Sequence, residues 1–281
     1  MKRLRVRHEA RFTYQGNANA SYNEARMLPR DCSGQQVLSS SLTITPHGPQ
    51  FPYRDYWGTP VVGFEVLIPH SELCVIAESL VEVNRPLRLA TRASWVEMRH
   101  EAEARCRLLE HMDQTARTDP TEEVAELARD IAASPRDPFD TAQAICEAIR
   151  DRIEYVPGVT GVGSTAKEAW VKGKGVCQDI THIALGALRA VGIPARYVSG
   201  YLHPEEQPEV GLTAQAESHA WLEWHSGSWM GFDPTNRIPV GDRHVLVARG
   251  RDYDDIAPVK GVYAGAEATE LWVDVKITRE S

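Results

Sequence analysis

The chain has 281 residues, of which 42% are hydrophobic, 25% charged and 7% aromatic, so it reads as an ordinary globular protein of one to two domains. Its 31 Lys+Arg against 39 Asp+Glu give a net charge of −8. That balance argues against nucleic-acid partners, which require a basic face to displace counterions from phosphates. No apolar stretch approaches the roughly 18 residues of a membrane span, so no membrane partner is expected either.

The start, Met1-Lys2-Arg3-Leu4-Arg5, is basic but leads into no apolar segment and is not expected to act as a secretory signal. The five cysteines (Cys32, Cys74, Cys106, Cys146, Cys177) are odd in number and lack any C-x-x-C pair. A disulfide framework or thiolate zinc site is therefore not expected, and a reducing cytoplasm is the simplest setting.

From Leu4 to about Leu109 the texture is strand-like. Arg5–Tyr14 alternates, and Leu38–Thr45, Val61–Ile68, Leu73–Ala77 and Leu80–Val83 carry β-branched and apolar residues between Pro and Gly punctuation. Residues 1–112 are read as an N-terminal antiparallel β-sandwich. Two of its loops, Asn23-Glu24-Ala25-Arg26 and Tyr53–Gly58, are charged and aromatic, as ordinary solvated loops or a partner surface would be. Residues 113–281 are read as a second, core domain, which opens with helical periodicity. A helix opens at Asp119-Pro120-Thr121-Glu122, with Val124, Leu127, Ala128 and Ile131 on one face. A second follows Asp137-Pro138, with Ala142, Ile145, Cys146 and Ile149 in its stripe, which reads Cys146 as a buried hydrophobe. The glycines of Pro157–Gly163 match no phosphate-loop pattern, whereas Thr165-x-x-Glu168 has capping-box spacing.

Gly173–Asp179 precedes a strongly periodic helix (Ile180, Ala184, Ala187, Leu188, Val191) that Gly192 and Pro194 end. Cys177 falls in its first turn, where unpaired N–H groups and the helix dipole favour a thiolate. Asp179 in the same turn opposes that charge. His182 lies about 140° round the helix from Cys177 and is read as structural.

A reactive thiol needs a base. Glu217–Pro234 reads as a hairpin turning at His225-Ser226-Gly227, which pairs His219 with Asp233 on one face and leaves Ala220, Leu222, Trp224, Met230 and Phe232 on the other. Opposed residues have Cβ atoms about 4.5–5.5 Å apart, close enough for an imidazole–carboxylate bond. His203 and His225 are expected at the surface. No metal-ligand pattern such as HExxH occurs, and no cofactor is implied.

At these residues the sequence resembles the transglutaminase-like superfamily. The matching pieces are Gly175–Asp179 with Thr181-His182, Pro194–Tyr201, Ser218–Trp221 and Gly231–Thr235, within about 140–236. The N-terminal stretch is similar to the β domain that precedes this core in many bacterial members. The resemblance implies an α+β protein with a papain-like core, in which Cys177, His219 and Asp233 take the catalytic roles and Glu270–Val275 returns as a core strand. It covers amide hydrolases and acyl transferases alike.

The expected function is acyl transfer through a Cys177 thioester on a peptide or protein carboxamide, hydrolysis ahead of transamidation. The Cys177 N–H is the expected oxyanion donor, with the Trp170 indole a candidate second. A transglutaminase, or a binding module with an occluded triad, is the alternative. Oligomeric state is left open.

Overall fold

A computed structural model describes residues 1–85 and 92–281. The fold is α+β. Strands β1 (Lys2–Ala25), β2 (Gln35–Thr45), β3 (Gln50–Arg54), β4 (Pro60–Val66) and β5 (His70–Val83) come first. Helices α1 (Trp95–Ala104), α2 (Cys106–Leu109), α3 (Glu122–Ala132) and α4 (Pro138–Arg152) follow, then strand β6 (Glu154–Tyr155), α5 (Ala166–Lys172), β7 (Lys174–Gly175) and α6 (Cys177–Ala190). The remaining strands are β8 (Ala195–Leu202), β9 (Thr213–Ala216), β10 (Ser218–His225), β11 (Trp229–Asp233), β12 (Ile238–Pro239), β13 (His244–Gly250), β14 (Val259–Gly265) and β15 (Ala268–Arg279).

Two sheets dominate. Among the described residues the larger has eight strands, forked on β1. The first half of β1 pairs with β5 and β15, and its second half pairs with β4 and β14. The smaller has five strands in the order β12-β11-β10-β8-β13. Helix α6 packs on it with every residue from Asp179 to Arg189 buried. A helix wrapped in apolar residues on all sides belongs in a core.

The expected division of the chain needs correcting at both ends. β9, β14 and β15 fall within the second domain expected over 113–281, yet they lie in the sheet of the N-terminal strands. Alternation along Ala268–Arg279 signals a strand but carries no information about which sheet it joins. Conversely, residues 95–109, expected to be β, are helical. Ser94 accepts from the Glu97 N–H while the Glu97 carboxylate takes the Ser94 N–H, a capping box at the start of α1. Only Met98 and Ala102 of α1 are buried, so no apolar stripe advertises it.

The core explains why the larger sheet reaches the site. Leu4, Val6, Val81, Val83, Val275 and Ile277 pack in one cluster with Ile145, Ile149, Ile180, Leu188, Leu222 and Trp224. Strand ends from both termini of the chain are thus fixed against α6 and β10. Burying each such side chain contributes about 1.5–3 kcal/mol.

Candidate active site

Helix α6 begins at Cys177, as the periodicity requires. Its start is held by Asp179, whose Oδ2 accepts the Val176 N–H (2.8 Å) and the Thr160 hydroxyl (2.6 Å). The carboxylate thereby caps the helix and ties the Pro157–Gly163 loop to it. Gly175 is required here, because a Cβ would lie 2.7 Å from Asp179 Cβ and 2.8 Å from its Oδ2. β6 and β7 pair in parallel and bring Tyr155 beside Gly175.

The β10–β11 hairpin has a different register from the expected one. His225 pairs with Trp229 and Leu222 with Phe232, so the turn is Ser226-Gly227-Ser228, with Gly227 at φ 93°. Trp224 faces Met230 rather than Ser228, a slip of two positions. A slip of two preserves faces, since the side-chain period of a strand is two. Extended, this register sets Asp233 across from Trp221, diagonal to His219 on the same face.

The pair still forms. His219 Nε2 lies 2.7 Å from Asp233 Oδ2. Asp233 is fully buried. Its Oδ1 accepts the backbone N–H groups of Thr235 (3.0 Å) and Asn236 (3.1 Å), and Asn236 Nδ2 donates to Oδ2 at 2.8 Å. His244 Nδ1 accepts the Gly241 N–H, which leaves its ring proton on Nε2, 3.5 Å from the same Oδ2. Asn236 and His244 are therefore supporting residues that sequence reading missed. The Asp233-Pro234-Thr235-Asn236 turn was a local signal for the first, whereas His244 comes from β13 with no signal at all.

Nε2 is committed to Asp233, and Cys177 lines the same cavity as the ring. Burial disfavours charge on His219, but the Asp233 hydrogen bond and the Cys177 contact outweigh it and raise its pKa from 6.5 to about 10. Asp233 is held below the usual carboxylate range: burial opposes this, and the His219 and His244 hydrogen bonds prevail. The two shifts are one interaction seen from its two ends. A raised histidine pKa stabilises the fold fully below the unfolded value near 6.5, and that contribution is lost as pH climbs through about 10. Wild type should therefore lose melting temperature between pH 8 and pH 10.5 faster than His219→Gln; parallel curves would refute this.

Cys177 and His219 line a cavity of about 380 Å³, together with Tyr155, Tyr197, Ser218, Val247, Arg26 just past β1 and, from the larger sheet, His8, Val273 and Val275. Asn23–Ala25, expected as a loop, is the paired end of β1, and Arg26 just beyond it is bound to Glu24 (2.9 Å) and Asp55 (3.2 Å), tying that strand end to the Tyr53–Gly58 segment at the cavity wall.

Other expectations resolve individually. Trp170 is not an oxyanion donor, because its indole N–H is bonded to Glu123 Oε2 at 2.8 Å and the residue lies outside the cavity. Trp170→Phe should leave turnover unchanged and cost about 1 kcal/mol in stability by chemical denaturation; a tenfold drop in turnover would return the indole to the site. His182 is structural: fully buried, it accepts the Tyr253 N–H (3.2 Å). His203 and His225, expected at the surface, are both buried. Cys146 is buried in the α4 stripe.

A helix bearing a cysteine packed on an antiparallel sheet bearing a histidine–aspartate pair defines a papain-like α+β class of protein. The chain belongs to the transglutaminase-like superfamily. The family's profile matches residues 125–234, and that of the bacterial transglutaminase-like N-terminal region matches residues 4–82. An uncharacterized protein of Mycobacterium leprae is 40% identical over 279 residues, covering 99% of each chain. A solved structure from Cytophaga hutchinsonii, provisionally described as a cysteine protease, superposes with a TM-score of 0.78 at 20% identity, covering 98% of this chain and 90% of that one. A stretch of 122 residues, 40% of this chain, is 30% identical to a protein-glutamine gamma-glutamyltransferase of Pseudomonas aeruginosa, covering 18% of it. At family level the chemistry is thiol-dependent acyl transfer.

Proposed function

We propose that the protein hydrolyses amide bonds of peptide or protein carboxamides through a thioester on Cys177. The observation that carries this is His219, bonded by Nε2 to Asp233 at 2.7 Å with Cys177 as the neighbour that also raises its basicity. With its pKa raised to about 10, His219 already holds on Nδ1 the proton given up by the thiol, and the sulfur bonds the carbonyl carbon. The Cys177 backbone N–H donates to the oxyanion. The C–N bond then breaks and the same proton leaves with the amine. Water, deprotonated by the ring, resolves the thioester to a carboxylic acid and restores the thiol.

Cys177 is only partly buried and opens on the cavity, which favours catalysis over an occluded binding module. Its five unpaired cysteines suit a reducing compartment such as the cytoplasm. Transamidation is the second reading, favoured by the local likeness to the gamma-glutamyltransferase. Mass analysis of products from glutamine-containing peptides, with and without a primary amine, decides between them. Addition of water alone is the expected product, and incorporated amine would overturn the preference for hydrolysis.

A further inference from the structure

Strand β15 pairs with β1 along nearly its whole length, from Ala268 to Arg279. On its other edge β9 covers only Val275–Thr278, because the chain turns away after Ala216 to start β10 and place His219. Among the described residues, the edge of Ala268–Asp274 has no strand partner. A bare edge presents unpaired N–H and C=O groups and is usually blunted by lysine, proline or a bulge. Here it carries Leu271, Trp272 and Val273 in succession, exposed at 51%, 44% and 45%. Val273 and Val275 line the cavity that holds Cys177 and His219, as do Tyr155, Pro157 and Gly158.

We infer that this edge is the substrate-binding strand: an extended polypeptide adds to β15 beyond Ala216, antiparallel to it, and delivers its reactive amide to Cys177. The inference rests on the acyl-transfer reading of the site and adds the form in which the substrate is held. A strand laid in this vacancy continues the line of β9, so one end of it arrives where Ala216, Glu217 and Ser218 border the cavity. Main-chain bonds to β15 would supply affinity without regard to sequence, and the apolar side chains of Leu271 and Val273, two residues apart on one face, would contact alternate substrate residues. A folded protein surface or a compact small amide could not make these bonds. The substrate class is therefore an unstructured tail or linker.

The test uses full-length Cys177→Ala and a ten-residue peptide of alternating threonine and valine around one central glutamine, followed by isothermal titration calorimetry. Methylating its backbone nitrogens one at a time should weaken binding with a period of two. Alternate positions on one side of the glutamine should lose about five- to tenfold each, and those between them less than about twofold. Absence of binding up to about 1 mM, or losses without that period, would overturn the inference. Alkylation of Cys177 by iodoacetamide in the wild-type protein, read separately, reports on the acyl-transfer reading. A sluggish thiol would sink that reading while leaving the binding result to stand or fall alone.

Discussion

Asp233→Asn should lower kcat/KM by on the order of 10³- to 10⁴-fold while the protein stays folded. The reason lies in which atoms hold the side chain. Thr235 and Asn236 N–H groups, both donors, grip Oδ1. In the asparagine variant the amide oxygen must remain with them, which turns the NH2 group toward His219. Nε2 would then have to accept, its proton would move to Nδ1, and the ring would present N–H to the sulfur it must deprotonate. Loss of the carboxylate's charge adds to the effect, because the Asp233 bond is what lifts the imidazole pKa against burial. The peptide turnover assay with a pH profile checks this: the variant's activity should fall by that factor and gain a histidine ionisation nearer its ordinary range. A loss below about tenfold would show that Asp233 only supports packing.

Alkylation at pH 6 should modify Cys177 at least about tenfold faster than any other cysteine, and Cys177→Ala should lose on the order of 10⁴-fold or more in turnover. Cys106 is the informative control. It is exposed whereas Cys177 is half-buried, so accessibility by itself would favour Cys106. Burial pushes the Cys146 thiol far up and also raises that of Cys74, where Glu9 adds to the effect, so neither should compete. Cys177→Ala should change stability by less than about 1 kcal/mol, since the sulfur sits at the cavity and not inside the packed cluster. Equal labelling of Cys106 and Cys177, mapped by peptide mass, would remove the argument for an activated thiol.

The candidate site was legible because each of Cys177, His219 and Asp233 announces itself locally. Cys177 opens a helix of fourteen residues whose period is visible in the sequence, and His219 and Asp233 share a face under any hairpin register of the right parity. The error in the turn, Ser226-Gly227-Ser228 in place of His225-Ser226-Gly227, moved the pairing by two positions and left the faces intact. A one-residue error would have separated the pair.

What the sequence by itself determined, then, is everything that depends on neighbours along the chain: the helix start under Cys177, the capping box at Thr165, the alternation of β15 and the parity that keeps His219 with Asp233. Only the tertiary structure decided where distant pieces meet. It drew β15 from the C-terminus into the N-terminal sheet beside β1, set His244 behind Asp233, brought His8 and Arg26 to the cavity wall and buried His203 and His225. Strand pairing and burial at long range depend on which surfaces remain to be covered once local elements form, and no window of sequence contains that information.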